Sequence, residues 1–157
     1  MSVPPIGESY RGVYGHSGYL LRQAWHAFRT AMEIALRPHH LTSPQYAVLS
    51  VLALSPGASN ADLARACNTT PQAMTGVLAT LQRARMIERR PHPSHGRILQ
   101  VTLTDHGRTN LESAHPAVRA LEQEAERAFN TQQIATVKAW LVATGERLEQ
   151  IARSRGE

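Results

Sequence analysis

The chain has 157 residues, which is enough for one compact domain with helical extensions, and 42% of them are hydrophobic, as in an ordinary globular protein. Its net charge of +5 favours an anionic partner, while its single cysteine excludes an intrachain disulfide framework and suits a reducing compartment. No apolar run has membrane-spanning length and no secretory leader is visible, so we expect a cytoplasmic protein.

The first part of the chain reads as an irregular arm followed by two helices. A helix is predicted over residues 18–37, where apolar residues recur every three or four positions. Its stripe is Leu21, Ala24, Phe28, Ala31 and Ala35. Pro38 breaks this helix. Thr42 or Ser43 can cap the next one, with Gln45 at the capping-box position of Thr42, and this apolar helix stops at a Ser-Pro-Gly sequence.

The centre of the chain, residues 59–103, orders its elements as helix, turn, helix and hairpin. Ser59 can cap a short helix whose third residue is Asp62. After a tight turn, Thr70 and Pro71 begin a second helix with an apolar inward face. That face is Met74, Val77, Leu78 and Leu81. Strands are predicted at about 86–90 and 98–103, separated by a tip with proline and glycine. This order is that of a winged helix-turn-helix.

Two further helices are predicted after the hairpin, and both carry heptad stripes. Thr104 caps a helix that we expect to continue to about Phe129 and to kink at Pro116. Asn130 and Thr131 begin the last helix. Its stripe is Ile134, Val137, Leu141, Thr144, Leu148 and Ile151. Long helices rarely bury such stripes within one small chain, so we expect a twofold dimer that sets two recognition helices on one face, as paired half-sites of duplex DNA require.

The order of elements and three segments resemble the MarR family of bacterial transcriptional regulators. The segments are LTSPQYAVLSVLA (residues 41–53), TPQAMTGVLATLQR (residues 70–83) and RILQVTLTDHG (residues 97–107). We therefore predict a single, mostly α domain with a small β-hairpin wing (α+β). A winged helix-turn-helix lobe over residues 41–103 would be flanked by dimerisation helices over residues 18–40 and 104–155. The resemblance further implies a homodimer, a helix from Thr70 in the major groove, a wing arginine in the minor groove and a small lipophilic, often phenolic, effector.

Two residues depart from the family pattern. The wing of the family usually carries Asp-x-Arg, in which the carboxylate orients the arginine, whereas this chain has His95, Gly96 and Arg97. We expect DNA affinity to rise in mild acid as His95 gains charge. The glycine often found after the recognition helix is Arg85 here, so a left-handed residue at that point would cost about 1 kcal/mol.

The recognition helix and the wing supply the expected DNA contacts. The candidates are Thr69, Thr70, Gln72, Ala73, Thr75, Gly76, Thr80, Arg83, His95 and Arg97. Small and hydroxyl-bearing side chains allow a helix to approach base edges closely, and Gln72 can pair with adenine. Arg97 is predicted to enter the minor groove and Arg83 to contact a phosphate. The family often has an arginine at the position of Gly76, so one contact could be missing.

A set of aromatic and polar side chains is the predicted effector pocket. It comprises Trp25, His26, Arg29, His40 and Tyr46. Cys67 is in phase with inward residues and is expected to be buried and unreactive. A thiol-responsive regulator, which would need a reactive Cys67, is an alternative. A metal site that combines His39 or His40 with His106 is a further alternative. The sequence contains no catalytic constellation, metal motif or cofactor motif.

The sequence therefore predicts a homodimeric repressor that binds an inverted repeat in double-stranded DNA and is released by a small aromatic molecule. Two other classes of protein remain open. An architectural DNA-binding protein with no effector would show weak sequence discrimination and no release by ligand. An enzyme or a helical interaction module on the same fold would bind no duplex.

Overall fold

The computed structural model describes residues 3–91 and 99–155. Within them, six α-helices accompany one antiparallel hairpin, and two short 3-10 turns precede the first and second helices. The elements are α1 (Ser17–Leu36), α2 (Ser43–Leu54), α3 (Asn60–Ala66), α4 (Pro71–Arg83), β1 (Ile87–Pro91), β2 (Leu99–Leu103), α5 (Asp105–Glu126) and α6 (Thr131–Arg155). The predicted fold class, mostly helical with a small hairpin, is confirmed. None of the helices described has the length and apolar character needed to cross a membrane.

The chain divides into two compact units, residues 1–119 and 120–157, and the boundary falls inside α5. The first unit contains α1 to α4 and the hairpin, together with the larger part of α5. The second unit contains the end of α5 and all of α6.

Local capping sets where the central helices begin. The Thr42 hydroxyl accepts the Gln45 backbone N–H at 3.4 Å, and the Gln45 side chain accepts the Thr42 N–H at 2.9 Å. Ser59 and Asp62 form the same reciprocal pair at the start of α3. Each pair satisfies backbone donors that have no partner within the helix. The predicted starts of both helices are confirmed.

The core of the first unit is entirely hydrophobic among the residues described. Its largest fully buried side chains are Leu36, Leu49, Leu52, Leu63, Met74, Leu78, Leu81 and Leu111. They come from α1 to α5, so the helix-turn-helix packs on its neighbours through one shared core. The inward face predicted for α4 is confirmed at Met74, Leu78 and Leu81, whereas Val77 is only half-buried.

The hairpin pairs Ile87 with Leu103 at its base and Pro91 with Leu99 at its described end. Ala58 adds an isolated bridge to Val101, whose N–H donates to the Ala58 carbonyl at 3.1 Å. This bridge joins the wing to the segment that leads into α3.

The junction between α4 and α5 is built around a glycine. The Thr104 hydroxyl donates to the Arg85 carbonyl at 2.7 Å and accepts the Gly107 N–H at 3.0 Å. The Thr104 N–H donates to the Met86 carbonyl at 3.0 Å. A Cβ on Gly107 would run into the backbone of Met86, so only glycine fits here. Arg85 has a φ of 55°, so the residue after α4 adopts the left-handed conformation even though it is not glycine.

Helix α5 continues from Asp105 to Glu126 with Pro116 inside it, and so ends earlier than Phe129. In α6 no side chain is buried. Three members of its predicted stripe, Val137, Leu141 and Leu148, are 52%, 42% and 56% exposed, while the other three are half-buried. We call the six residues, Ile134, Val137, Leu141, Thr144, Leu148 and Ile151, the α6 stripe.

Candidate nucleic-acid interface and ligand cavities

The outer side of α4 is a continuous exposed surface. Gln72, Gly76, Ala79 and Arg83 follow one another at spacings of four, three and four residues, and all four are exposed. The opposite side of α4 carries its buried core residues, so the helix packs on the core through one face and exposes the other to solvent. Sequence reasoning had not included Ala79, although it has the helical spacing to complete this row.

The start of α4 follows a left-handed residue, Asn68, with φ of 49°. Asparagine tolerates this conformation, which lets the chain turn sharply between α3 and α4. Thr69 is exposed, whereas the Thr70 hydroxyl accepts the Ala73 N–H at 3.1 Å and so caps the helix. Thr70 therefore has a structural task whatever else it contacts.

Two threonines of α4 are already engaged inside the protein. Thr80 is half-buried; its hydroxyl accepts the Gln45 side-chain amide at 3.2 Å and donates to the Val77 carbonyl at 2.7 Å. The prediction that Thr80 lies on the outward face was wrong, because α2 packs against that edge of the helix. Thr75 remains exposed, and its hydroxyl donates to the Pro71 carbonyl at 2.9 Å.

The predicted wing contacts His95 and Arg97 lie outside the described residues. The strand that leads to them contains an arginine that sequence reasoning left without a role. Arg89 pairs with Val101 across the hairpin and is half-buried.

Arg89 lies in a cavity of about 480 Å³, which we call the hairpin cavity. Its lining includes Ser59, Asn60, Thr75, Leu78, Arg89 and Val101. The Nε and Nη2 atoms of Arg89 and the Oδ1 atom of Asn60 are buried and have no hydrogen-bond partner in the described part of the chain. Unsatisfied buried polar atoms are uncommon, and a charged group makes them more costly.

A second cavity, of about 450 Å³, lies between α1, α2 and the start of α4, and we call it the α1–α4 cavity. Its lining includes Trp25, Arg29, Glu33, Cys67, Asn68 and Ala73. Trp25 is 58% exposed and stacks on Phe28 with ring centroids 6.5 Å apart. Glu33 is engaged, because its carboxylate accepts the Ser43 N–H at 2.9 Å. Arg29 has no hydrogen bond or ion pair with another described residue.

The structure separates the five predicted effector residues. Trp25 and Arg29 line the α1–α4 cavity together, but His26, His40 and Tyr46 do not. The Tyr46 hydroxyl instead lies 2.9 Å from Nδ1 of His115 on α5, and the two rings meet edge to face. The α1–α4 cavity of the single chain therefore contains two of the five predicted residues, and the rotation of α2 turns Tyr46 towards α5.

Cys67 ends α3 and is half-buried, not fully buried as expected. Burial raises the pKa of its thiol, which lowers the thiolate fraction at neutral pH.

The imidazole of His39 contacts the Ser113 hydroxyl at 3.1 Å. Among residues 3–91 and 99–155, no three His, Cys, Asp or Glu side chains are grouped so that they could hold a metal ion.

Comparison with known proteins agrees with this architecture. A family model described as "MarR family" matches residues 39–98. The chain is 42% identical over 105 residues to the HTH-type transcriptional repressor Rv2887 of Mycobacterium tuberculosis, an overlap that covers 67% of this chain and 76% of that protein.

Solved structures show the same likeness. The Mycobacterium tuberculosis MarR family protein Rv2887 in complex with p-aminosalicylic acid matches with a TM-score of 0.69 and 35% identity, over 83% of this chain and 99% of that one. The transcriptional repressor CouR bound to a 23-mer DNA duplex matches with a TM-score of 0.78 and 23% identity, over 83% and 92% of the two chains. The likeness to CouR concerns the fold alone.

Proposed function

This chain belongs to the MarR family of transcriptional regulators, and from that membership we propose that it is a homodimeric repressor that binds an inverted repeat in duplex DNA and is released by a small aromatic effector. The observation that carries the proposal is the outer side of α4. It presents an amide, a glycine, a methyl group and a guanidinium at Gln72, Gly76, Ala79 and Arg83, and the opposite side buries apolar side chains. This is the composition that a recognition helix needs to enter the major groove.

The net charge of +5 supports an anionic partner. In the proposed complex Gln72 reads a base, Arg83 contacts a phosphate and Thr69 lies beside the backbone of the DNA at the start of the helix. Ala73, Thr70 and Thr75 complete the surface around them. Arg97 and His95 remain proposed wing contacts, on the strength of the sequence.

The α6 stripe supports dimerisation. Leu141 and Leu148 are about half exposed in the single chain, and every member of the stripe has heptad spacing. Exposed apolar side chains in this arrangement gain about 25 cal/mol per Å² when a partner helix removes them from water. We propose that residues 18–40 and 104–155 form the dimer interface and that residues 41–103 form the DNA-binding lobe.

The α1–α4 cavity is our proposed effector site. Trp25 offers an aromatic face and Arg29 a guanidinium, which together suit an aromatic carboxylate. The relative Rv2887 has been crystallised with p-aminosalicylic acid, a molecule of that kind. Because Ala73 of α4 lines the same cavity, a ligand there would contact the recognition helix directly. It would release DNA to the extent that it binds the DNA-free conformation more tightly.

DNA recognition is tested by selecting duplex fragments with the purified protein and sequencing them. We expect an inverted repeat with half-site centres about 10 base pairs apart. Gln72→Ala should then cost about 1–3 kcal/mol on the selected site and relax one position. Gln82→Ala, an exposed glutamine on the same helix but off the outer row, is the matched control. Equal weakening of specific and non-specific DNA by Gln72→Ala would show that Gln72 reads no base, and failure to bind any duplex would revive the enzyme or interaction-module alternative.

Dimerisation is tested by analytical ultracentrifugation of Leu141→Glu. A charge in the middle of the α6 stripe should produce monomers and remove tight operator binding. Val142→Glu places the same charge on the neighbouring residue, which is 62% exposed and off the stripe, and should stay dimeric. A dimeric Leu141→Glu protein would locate the interface elsewhere.

The effector is tested by calorimetric titration with p-aminosalicylic acid, in parallel with operator release. Arg29→Ala should abolish binding and release, while Arg89→Ala should leave both unchanged. The opposite pattern would assign the ligand to the hairpin cavity. Wild-type protein that neither binds the compound nor releases DNA would favour an architectural protein or a regulator that responds to a thiol or a metal.

A further inference from the structure

Gly76 occupies the middle of the exposed side of α4, where glycine serves no purpose inside the protein. A Cβ built on it meets no atom within 4 Å, and its backbone is helical. Glycine in a helix interior lowers the folding equilibrium constant about fivefold relative to alanine. No neighbouring element of the protein requires a residue without a side chain at this position. The glycine therefore matters for a partner that approaches α4 from outside.

The residues around Gly76 define a notch on that surface. Gln72 lies one turn before it and Ala79 about one turn after it, and both are exposed. The floor of the notch is the Cα of Gly76 and one wall is the methyl group of Ala79, so the notch is apolar. The Gln72 side chain, with its amide donor and acceptor, stands at the opposite edge.

The chemistry of the major groove identifies what fits this combination. Each base pair presents hydrogen-bonding groups there, and the thymine 5-methyl is the apolar group among them. An amide beside the notch can pair with the N6 and N7 positions of adenine. We propose that Gly76 admits a thymine methyl in each half-site, at a position next to the adenine that Gln72 reads. This inference rests on the proposed function, in which α4 enters the major groove of DNA.

Two consequences follow for specificity. Glycine at this position sets how closely α4 can approach the base pairs, so any larger side chain would move the helix outward from the thymine. The preferred half-site should then contain a thymine whose methyl group contributes to affinity, although no polar side chain touches that base.

The test combines Gly76→Ala with removal of the methyl group from the DNA. Each thymine of the selected half-site is replaced in turn by uracil, and binding is measured for wild-type and Gly76→Ala proteins. On the thymine operator we expect Gly76→Ala to bind about tenfold more weakly, within the range for loss of one base contact. At one position, uracil should weaken the wild type and restore most of the affinity of the variant.

Gln82→Ala is the control on the same helix, because Gln82 is exposed and lies off the outer row of α4. It should bind both operators as the wild type does. Thermal melting should show that both variants remain folded. If Gly76→Ala binds the thymine operator as tightly as wild type, or loses the same affinity on every uracil operator, the inference is wrong. If the wild-type protein binds no duplex, the proposed function itself fails.

Discussion

Replacing Gly107 by alanine should open the junction between α4 and α5. The new Cβ would lie 2.8 Å from the carbonyl carbon of Met86 and 3.1 Å from its Cα, and closer still to the carbonyl oxygen. All three atoms belong to the backbone, so no side-chain rotation can relieve the overlap. The first turn of α5 must therefore move away from the start of β1.

The cost can be worked out from the contacts that this movement breaks. Overpacking of this kind costs roughly 1–3 kcal/mol. The Thr104 N–H donates to the carbonyl that would be displaced, and loss of such a hydrogen bond costs about 1 kcal/mol. The Thr104 cap on Gly107 N–H adds about 1 kcal/mol. We expect Gly107→Ala to lower the free energy of unfolding by roughly 3–5 kcal/mol, a large part of the 5–15 kcal/mol typical of a domain.

Urea denaturation followed by circular dichroism measures this change. The midpoint should fall while the slope with denaturant stays the same, because the variant exposes the same surface on unfolding. Gly145→Ala, where a Cβ meets open space, should raise stability by about 0.5–1 kcal/mol and serves as the control. A loss below about 1 kcal/mol for Gly107→Ala would refute the reasoning, since it would mean that the junction relaxes around the added methyl group.

Three further outcomes are expected. Arg85→Gly should raise the unfolding free energy by about 1 kcal/mol in urea, because φ at this exposed residue is 55° and glycine adopts that region without strain, whereas Arg85→Ala should not. Hydrogen bonds from the Ser59 hydroxyl and backbone lower the pKa of the Asp62 carboxyl below its usual 3.8, so its stabilising effect should be present above that value and be lost as pH falls through the lowered pKa. The free energy of unfolding of Asp62→Ala should accordingly fall less in acid than that of the wild type, and an equal fall in the two proteins would contradict this. Burial raises the pKa of the Cys67 thiol, so iodoacetamide should modify it more slowly at neutral pH than it modifies free cysteine; rapid modification would favour a thiol-responsive regulator.

Most of the secondary structure could be predicted from the sequence, because the signals that start and stop helices are local. Thr42 with Gln45, Ser59 with Asp62 and Thr70 with Pro71 each act over three residues or fewer, and each begins a helix where expected. The outward side of α4 was also predictable for the most part, since helical spacing alone separates Gln72 and Gly76 from the buried leucines. The order of these elements, together with the family resemblance, was enough to predict the winged helix-turn-helix.

What the sequence could not determine depends on contacts between residues far apart in the chain. The Gln45 amide on α2 donates to the Thr80 hydroxyl on α4, and the Tyr46 hydroxyl lies against His115 on α5. Both side chains are therefore engaged within the protein, away from the contacts that the periodicity of their own helices suggested. Two buried nitrogens of Arg89 have no partner in the described part of the chain, and Gly107 fits closely against Met86. Both features likewise arise only once strands and helices have packed. Helical periodicity specifies which residues share a face, but the rotation of that face towards a neighbour is set by close packing of the whole core, and this is a property of the tertiary structure.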